Sequence, residues 1–353
     1  MNYILILVFI SLILTPGMFF ELLTYLFLFL GFLYSKKYLQ NIFVFLVVLI
    51  IYICLFSVHY VLGNHSSAEL IRLWGLTKCI CTPVLVYFCF FRNTFKMSSY
   101  IAICSFVFVL NILYGNSYVF KAIGSENCCT GLDIVLLPIS FLMLSSRTNS
   151  IVLRYFIFLF IISCYYNIFM TNSVTNQLLA VLQISFFLLR KPIVLFFIKK
   201  HIKNILIFLV VIIMLSSLVI ALDFLSLEAD DLSTRVGIWQ TAFVQFALSS
   251  SFSVVWGTGD NIVQMMSQAL EVHNFMLEVL LIYGIVGFVI TFIIIVSIIQ
   301  ALFNNKRSNK DLLALTVVSY LLICLIHPFF TGVFFFQWIS SMTILFMYNY
   351  IDK

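Results

Sequence analysis

Charge is what this sequence lacks. Only 9% of its 353 residues are charged, whereas 63% are hydrophobic. That balance excludes a water-soluble globular domain, whose surface needs far more polar side chains. Metal-binding signatures are missing too. No Cys-x-x-Cys spacing lies outside the apolar runs, so neither a metal nor a redox centre is expected, and no cofactor. Most of the nine cysteines, Cys54, Cys104 and Cys164 among them, sit inside apolar runs, where a free thiol is an ordinary filler. Cys128 and Cys129 are expected in a loop, and a vicinal pair is poor disulfide geometry. The first apolar run has neither the basic start nor the small-residue cleavage site of a secretory signal, so it reads as a span.

What is present is a series of apolar runs near 20 residues, the length that crosses a bilayer. Twelve are expected, at roughly 2–14, 18–34, 41–60, 73–91, 98–114, 132–146, 153–170, 174–190, 205–222, 275–302, 311–327 and 333–350. The fold class is therefore all-α, a polytopic integral membrane protein. Residues 1–353 form one membrane domain, and 223–272 make a large loop within it.

Basic residues orient the spans, because they favour the cytoplasmic side. With both termini in the cytoplasm, fifteen of the 19 lysines and arginines fall inside. Only Arg72, Lys78, Lys121 and Arg235 fall outside. Of the 13 carboxylates, only Asp311 and Asp352 are inside. The net charge of +6 thus reflects topology and lipid headgroups rather than nucleic acid. Inner loops this short and this poor in carboxylates offer no evident nucleotide-sugar or metal site. The four outer cations run against the topological bias and need another reason. Lys78 enters its span deeply enough to require pairing or hydration.

The loop 223–272 has its own organisation. Ser233 or Thr234 can cap a helix starting near Arg235, with Val236, Trp239, Phe243 and Phe246 sharing one face. This reads as an amphipathic helix on the outer membrane surface. Trp256-Gly257-Thr258-Gly259-Asp260-Asn261 is turn chemistry, since Gly and Asn accept positive φ. The loop runs into His273-Asn274 and a span containing Glu278, Gly284 and Gly287. Asn274 and Glu278, four apart, share a helix face. Glycines at Gly284 and Gly287 allow close approach of another helix.

These residue types suit one kind of chemistry. Imidazole accepts a proton near neutral pH. Arginine binds phosphate through a bidentate fork and steadies charge growing on a leaving group. His273 with the outer cations would suit transfer from a phosphate-activated donor carried on a lipid.

The ordered set Arg235, Trp239, Gly257, Gly259, His273, Asn274, Leu277, Gly284 and Gly287 resembles the bacterial O-antigen polymerase and O-antigen ligase superfamily. The match covers about a sixth of the chain, and the remainder matches as topology. The resemblance implies an inverting, metal-independent glycosyltransferase of the inner membrane, working at its periplasmic face on undecaprenyl-diphosphate-linked oligosaccharide. It implies catalytic roles for His273 and Arg235. Arg72, Lys78, Lys121, Asn274 and Glu278 are the candidate substrate-binding residues, and a chain-length regulator protein is a candidate partner. One departure is plain: in Thr171-Asn172-Ser173-Val174-Thr175, Val174 stands where the pattern expects Arg. The expectation is a polymerase, with a ligase as its nearest rival and a flippase or transporter as the rival of another class. Most spans have uncharged centres and no two-fold repeat is evident, which counts against a flippase.

Overall fold

The structure is a computed structural model. It describes Leu26 and residues 39–62, 73, 77, 80–81, 97–114, 126–145, 150–171, 174–189, 201–212, 239, 241–242, 244, 246–258, 274–303 and 310–326. Among these residues the chain is helical, with turns and no strand. In order the helices are α1 Leu39–Leu62, α2 Met97–Tyr114, α3 Glu126–Ser145, α4 Ile151–Met170 and α5 Val174–Leu189. Then come α6 His201–Ile212, α7 Ser251–Trp256, α8 Phe275–Phe303 and α9 Lys310–Ile326. Two of them, α4 and α8, are long and apolar enough to cross a membrane.

Most helices fall where the apolar runs predict them, but α6 begins at His201 rather than 205, α7 lies within the expected loop 223–272, and α3 differs most. Helix α3 begins at Glu126, six residues before the expected 132, and takes in Cys128 and Cys129, which were expected in a loop. The extension carries Glu126, Asn127 and Thr130, yet Thr130 is buried inside the bundle, as is Asp133 just beyond it. Mean hydropathy penalises such residues because it cannot tell an inward polar side chain from an exposed one. Expected spans 2–14, 18–34 and 333–350 lie outside the described residues apart from Leu26. Of 73–91, only Leu73, Thr77, Ile80 and Cys81 are described.

Helix α3 is the hub, buried at every residue from 133 to 143. It packs on α4, α5 and α9, while α2 packs on α4, and α8 contacts α1, α7 and α9. Local signals set the ends of α4. Ser150 caps it by accepting from the Leu153 N–H at 3.3 Å, and the Thr171 hydroxyl closes it on the Ile168 carbonyl at 2.7 Å.

The polarity of these helices is inverted. On α4, Tyr155, Phe158, Ile162 and Phe169 are exposed, while Asn167 is buried. On α5, Leu178, Leu182 and Leu188 are exposed, while Asn176 and Gln183 are buried. A helix in water shows the reverse. The inward polar groups tie the bundle together. Asp133 accepts from the Asn111 amide at 3.1 Å and the Asn167 amide at 2.6 Å. Asn176 donates to Thr130 at 2.6 Å. Gln183 donates to the Ile134 carbonyl at 2.9 Å and to Ser319 at 2.7 Å. These contacts join α2, α3, α4, α5 and α9.

Candidate functional site

The site grows from two glycines that lie far apart in sequence and touch in space. Gly257 ends α7 with φ of 92°, and Gly284 interrupts α8 with φ of 66° and ψ of −169°. Both values lie in the region that side chains with a Cβ avoid. Their surroundings forbid a Cβ as well. One added at Gly257 would overlap the Ile282 carbonyl, and one at Gly284 would overlap the backbone of Gly257 and Val255. The expected continuous span 275–302 is therefore two helical pieces meeting at a backbone break. The partner that approaches Gly284 is the end of α7.

A broken helix leaves carbonyls without their usual donors, and in an apolar bundle these must be satisfied elsewhere. Thr258 does this for Leu281: its N–H and its hydroxyl both donate to that carbonyl at 3.0 Å. The turn after α7 thus caps the first piece of α8, and the two sequence motifs become one junction.

The start of α8 explains part of the His-Asn-x-x-Leu spacing. Asn274 is its N-cap. The Asn274 Oδ1 accepts from the Leu277 N–H at 3.1 Å, and its carbonyl accepts from the Glu278 N–H at 2.9 Å. Glu278 lies in the first helical turn and is buried, where the helix dipole favours a carboxylate. Asn274 and Glu278 are thus placed at one helix start, with the Asn274 oxygen engaged in capping.

Just before the break, Tyr283 is fully buried and gathers three elements. Its hydroxyl donates to the Leu73 carbonyl at 3.0 Å and also meets the Thr77 hydroxyl. Its ring stands edge-on to Tyr52 at 5.9 Å between centroids and tilted against His59 at 5.8 Å. Gly287 is small because Tyr283 folds back on it; a Cβ there would overlap the tyrosine Cβ. One turn further, Thr291 donates to the Gly287 carbonyl at 2.8 Å, so the Tyr52 hydroxyl must donate to Thr291. His59 is buried beside the junction, and its ring also meets the backbone of Trp256. Its Nε2 has no hydrogen-bond partner among the described residues.

Of the residues predicted from sequence, the structure describes Asn274 and Glu278. His273, Arg235, Arg72, Lys78 and Lys121 lie outside the described residues. His273 directly precedes the Asn274 cap in the chain. Arg72 and Lys78 are the sequence neighbours of Leu73 and Thr77, the two residues that meet Tyr283. In the expected amphipathic helix, Ala242 and Phe246 are buried and Trp239 is half-buried, while Gly259, Asp260 and Asn261 are not described. Val174 is exposed at the start of α5. Among the described residues, no group of three His, Cys, Asp or Glu side chains could hold a metal ion.

Sequence reasoning missed Tyr52, His59, Tyr283 and Thr291. A signal existed for the first two: polar groups seven apart in an apolar run share one helix face, and such groups are costly without a purpose. No family model, no curated protein and no solved structure matches the chain.

Proposed function

We propose that this chain is an O-antigen polymerase of a bacterial inner membrane, acting at the periplasmic face. It spans the membrane about twelve times with both termini in the cytoplasm, and it uses no metal. The inverted polarity of α4 and α5 supports a lipid environment, because apolar side chains are outside and carboxamides are inside. The observation that carries the functional reading is the Gly257–Gly284 junction. Motif pieces separated by 27 positions in sequence share one backbone contact there, as a single site would require.

In this reaction His273 takes the proton from a hydroxyl of one lipid-linked repeat unit. The freed oxygen attacks the anomeric carbon of the donor glycan, whose bond to phosphate breaks with inversion. Undecaprenyl diphosphate leaves with the electron pair. Arg235 and Arg72 neutralise the charge that grows on it, with Lys78 and Lys121 as further outer cations. Asn274 fixes the backbone on which His273 sits, and Glu278 orients His273 or binds sugar. An O-antigen ligase uses the same donor with lipid A–core as acceptor.

A transporter is the second reading, and one observation favours it: the Asp133 carboxylate is buried among neutral partners inside the bundle. Deleting the gene and running the surface polysaccharide on a gel separates the three. The polymerase reading expects single-repeat products. Lipid-linked polymer missing from core would make the chain a ligase, and repeats trapped in the cytoplasm would make it a flippase.

A further inference from the structure

His59 has no part in the chemistry described above, yet it sits at the junction. It lies seven residues after Tyr52, on the same face of α1, and is 7% exposed. Its ring packs on Tyr283, the last residue before the break. Trp256 is the last residue of α7, and helix-end carbonyls have no partner within their own helix. The ring faces that backbone, and Nε2 is the nitrogen left over, so the proton belongs on Nδ1. Nε2 is then a buried lone pair. Leaving such an atom unpaired is costly, so its place here needs a reason.

We infer that His59 is a carbohydrate contact, its Nε2 accepting a hydrogen bond from a hydroxyl of the lipid-linked sugar. An acceptor excludes a phosphate oxygen, which is itself an acceptor, and selects a hydroxyl. Trp256 is 38% exposed beside it, an aromatic side chain of the kind that packs on the C–H side of a sugar ring. Tyr283 lies nine residues from Asn274, about 13 Å along a helix. His59 therefore meets a different part of an extended substrate from the group that reacts at His273. It is a binding contact, and the inference rests on the glycan-transfer reading.

The test uses lipid-linked single repeat extracted from cells that lack the chain. The full-length protein in detergent is given this substrate, and kcat and KM are measured for wild type, His59→Phe, His59→Met and His59→Gln. His59→Phe keeps the ring packing, and the Trp256 carbonyl it leaves without a donor weighs against the Nε2 atom it removes, so it should accumulate about as well as wild type. Its kcat/KM should fall about tenfold, mostly through KM, the worth of one hydrogen bond to substrate. His59→Gln can place a carbonyl oxygen near Nε2 and should keep more activity than either apolar variant. Wild-type kinetics in His59→Phe would overturn the inference while leaving glycan transfer intact. If His59→Phe does not accumulate, His59→Met decides on the same criterion. If neither accumulates, the imidazole is structural and the inference falls. A wild-type protein that cannot extend the extracted repeat would remove the glycan-transfer reading, and the role of His59 with it.

Discussion

Two polar regions interrupt the apolar bundle, and they are built on different plans. Around Asp133, side chains bond one another and one carbonyl that Pro138 of α3 leaves without its donor: Asn111 and Asn167 donate to the carboxylate, Asn176 to Thr130, and Gln183 to Ser319 and to the Ile134 carbonyl, its own Oε1 having no partner among the described residues. Around Gly284, the backbone itself departs from helix. Two glycines hold positive φ, Thr258 from a distant turn serves the Leu281 carbonyl, and the His59 Nε2 has no partner among the described residues. The first plan joins neighbouring helices through their side chains. Interhelical hydrogen bonds of that kind contribute only about 0.6 kcal/mol on average in membrane bundles, enough to fix which helices neighbour which. The second keeps strain and polar groups that the fold alone does not need, which is where binding and chemistry tend to be found.

The sharpest way to break this contrast is at Gly284. Backbone strain at such a position costs about 1–3 kcal/mol for a residue with a Cβ. The Gly284→Ala methyl would also overlap Gly257 and Val255. The junction would have to separate, and a displacement near 1 Å costs on the order of 100-fold in rate. Polymer formed per unit of membrane-inserted protein is expected to fall at least that far; a Gly284→Ala protein of normal activity would show that the break is not needed.

Arg235→Lys probes the proposed phosphate contact. It keeps the charge and removes the fork, so a loss of roughly tenfold is expected, worth about 1.4 kcal/mol. Equal turnover of the two proteins would reduce Arg235 to an electrostatic surface group. The smallest effect belongs to the cap. Asn274→Ala removes the oxygen that serves the Leu277 N–H, at about 1 kcal/mol. Its melting temperature in detergent should drop, whereas Asn274→Ser, which retains a capping oxygen, should stay near wild type. If Ser melts as early as Ala, the cap is not what Asn274 provides.

Much of this was readable from the residues. Helices α1, α2, α4, α5, α8 and α9 begin and end within a few positions of the apolar runs, because an apolar run that long has few other solutions. Positive φ at Gly257 followed from the turn composition. The break at Gly284 did not, since a glycine inside an apolar run reads equally well as a packing position until its partner backbone is known. Nor did the partners of Asp133, whose neighbours come from helices 22 and 34 positions away in sequence. The place of His59 was not legible either, because the Tyr283 ring it packs on lies more than 200 positions away in sequence.

The central claim is that chemistry belongs to the start of α8, beside the Asn274 cap, that the broken-helix junction about 13 Å along the helix binds another part of the substrate, and that the Asp133 region only holds the bundle together. Turnover per unit of membrane-inserted protein, measured side by side for His273→Gln and Asp133→Asn, tests it most directly. A general base contributes roughly 10²–10⁴-fold, so His273→Gln should nearly abolish polymer. Asp133→Asn keeps a hydrogen-bonding side chain of the same shape and should change turnover by no more than about threefold, the scale of one such bond. Near wild-type turnover in His273→Gln, with loss of function in Asp133→Asn, would contradict the account and move the working centre of the protein to the bundle.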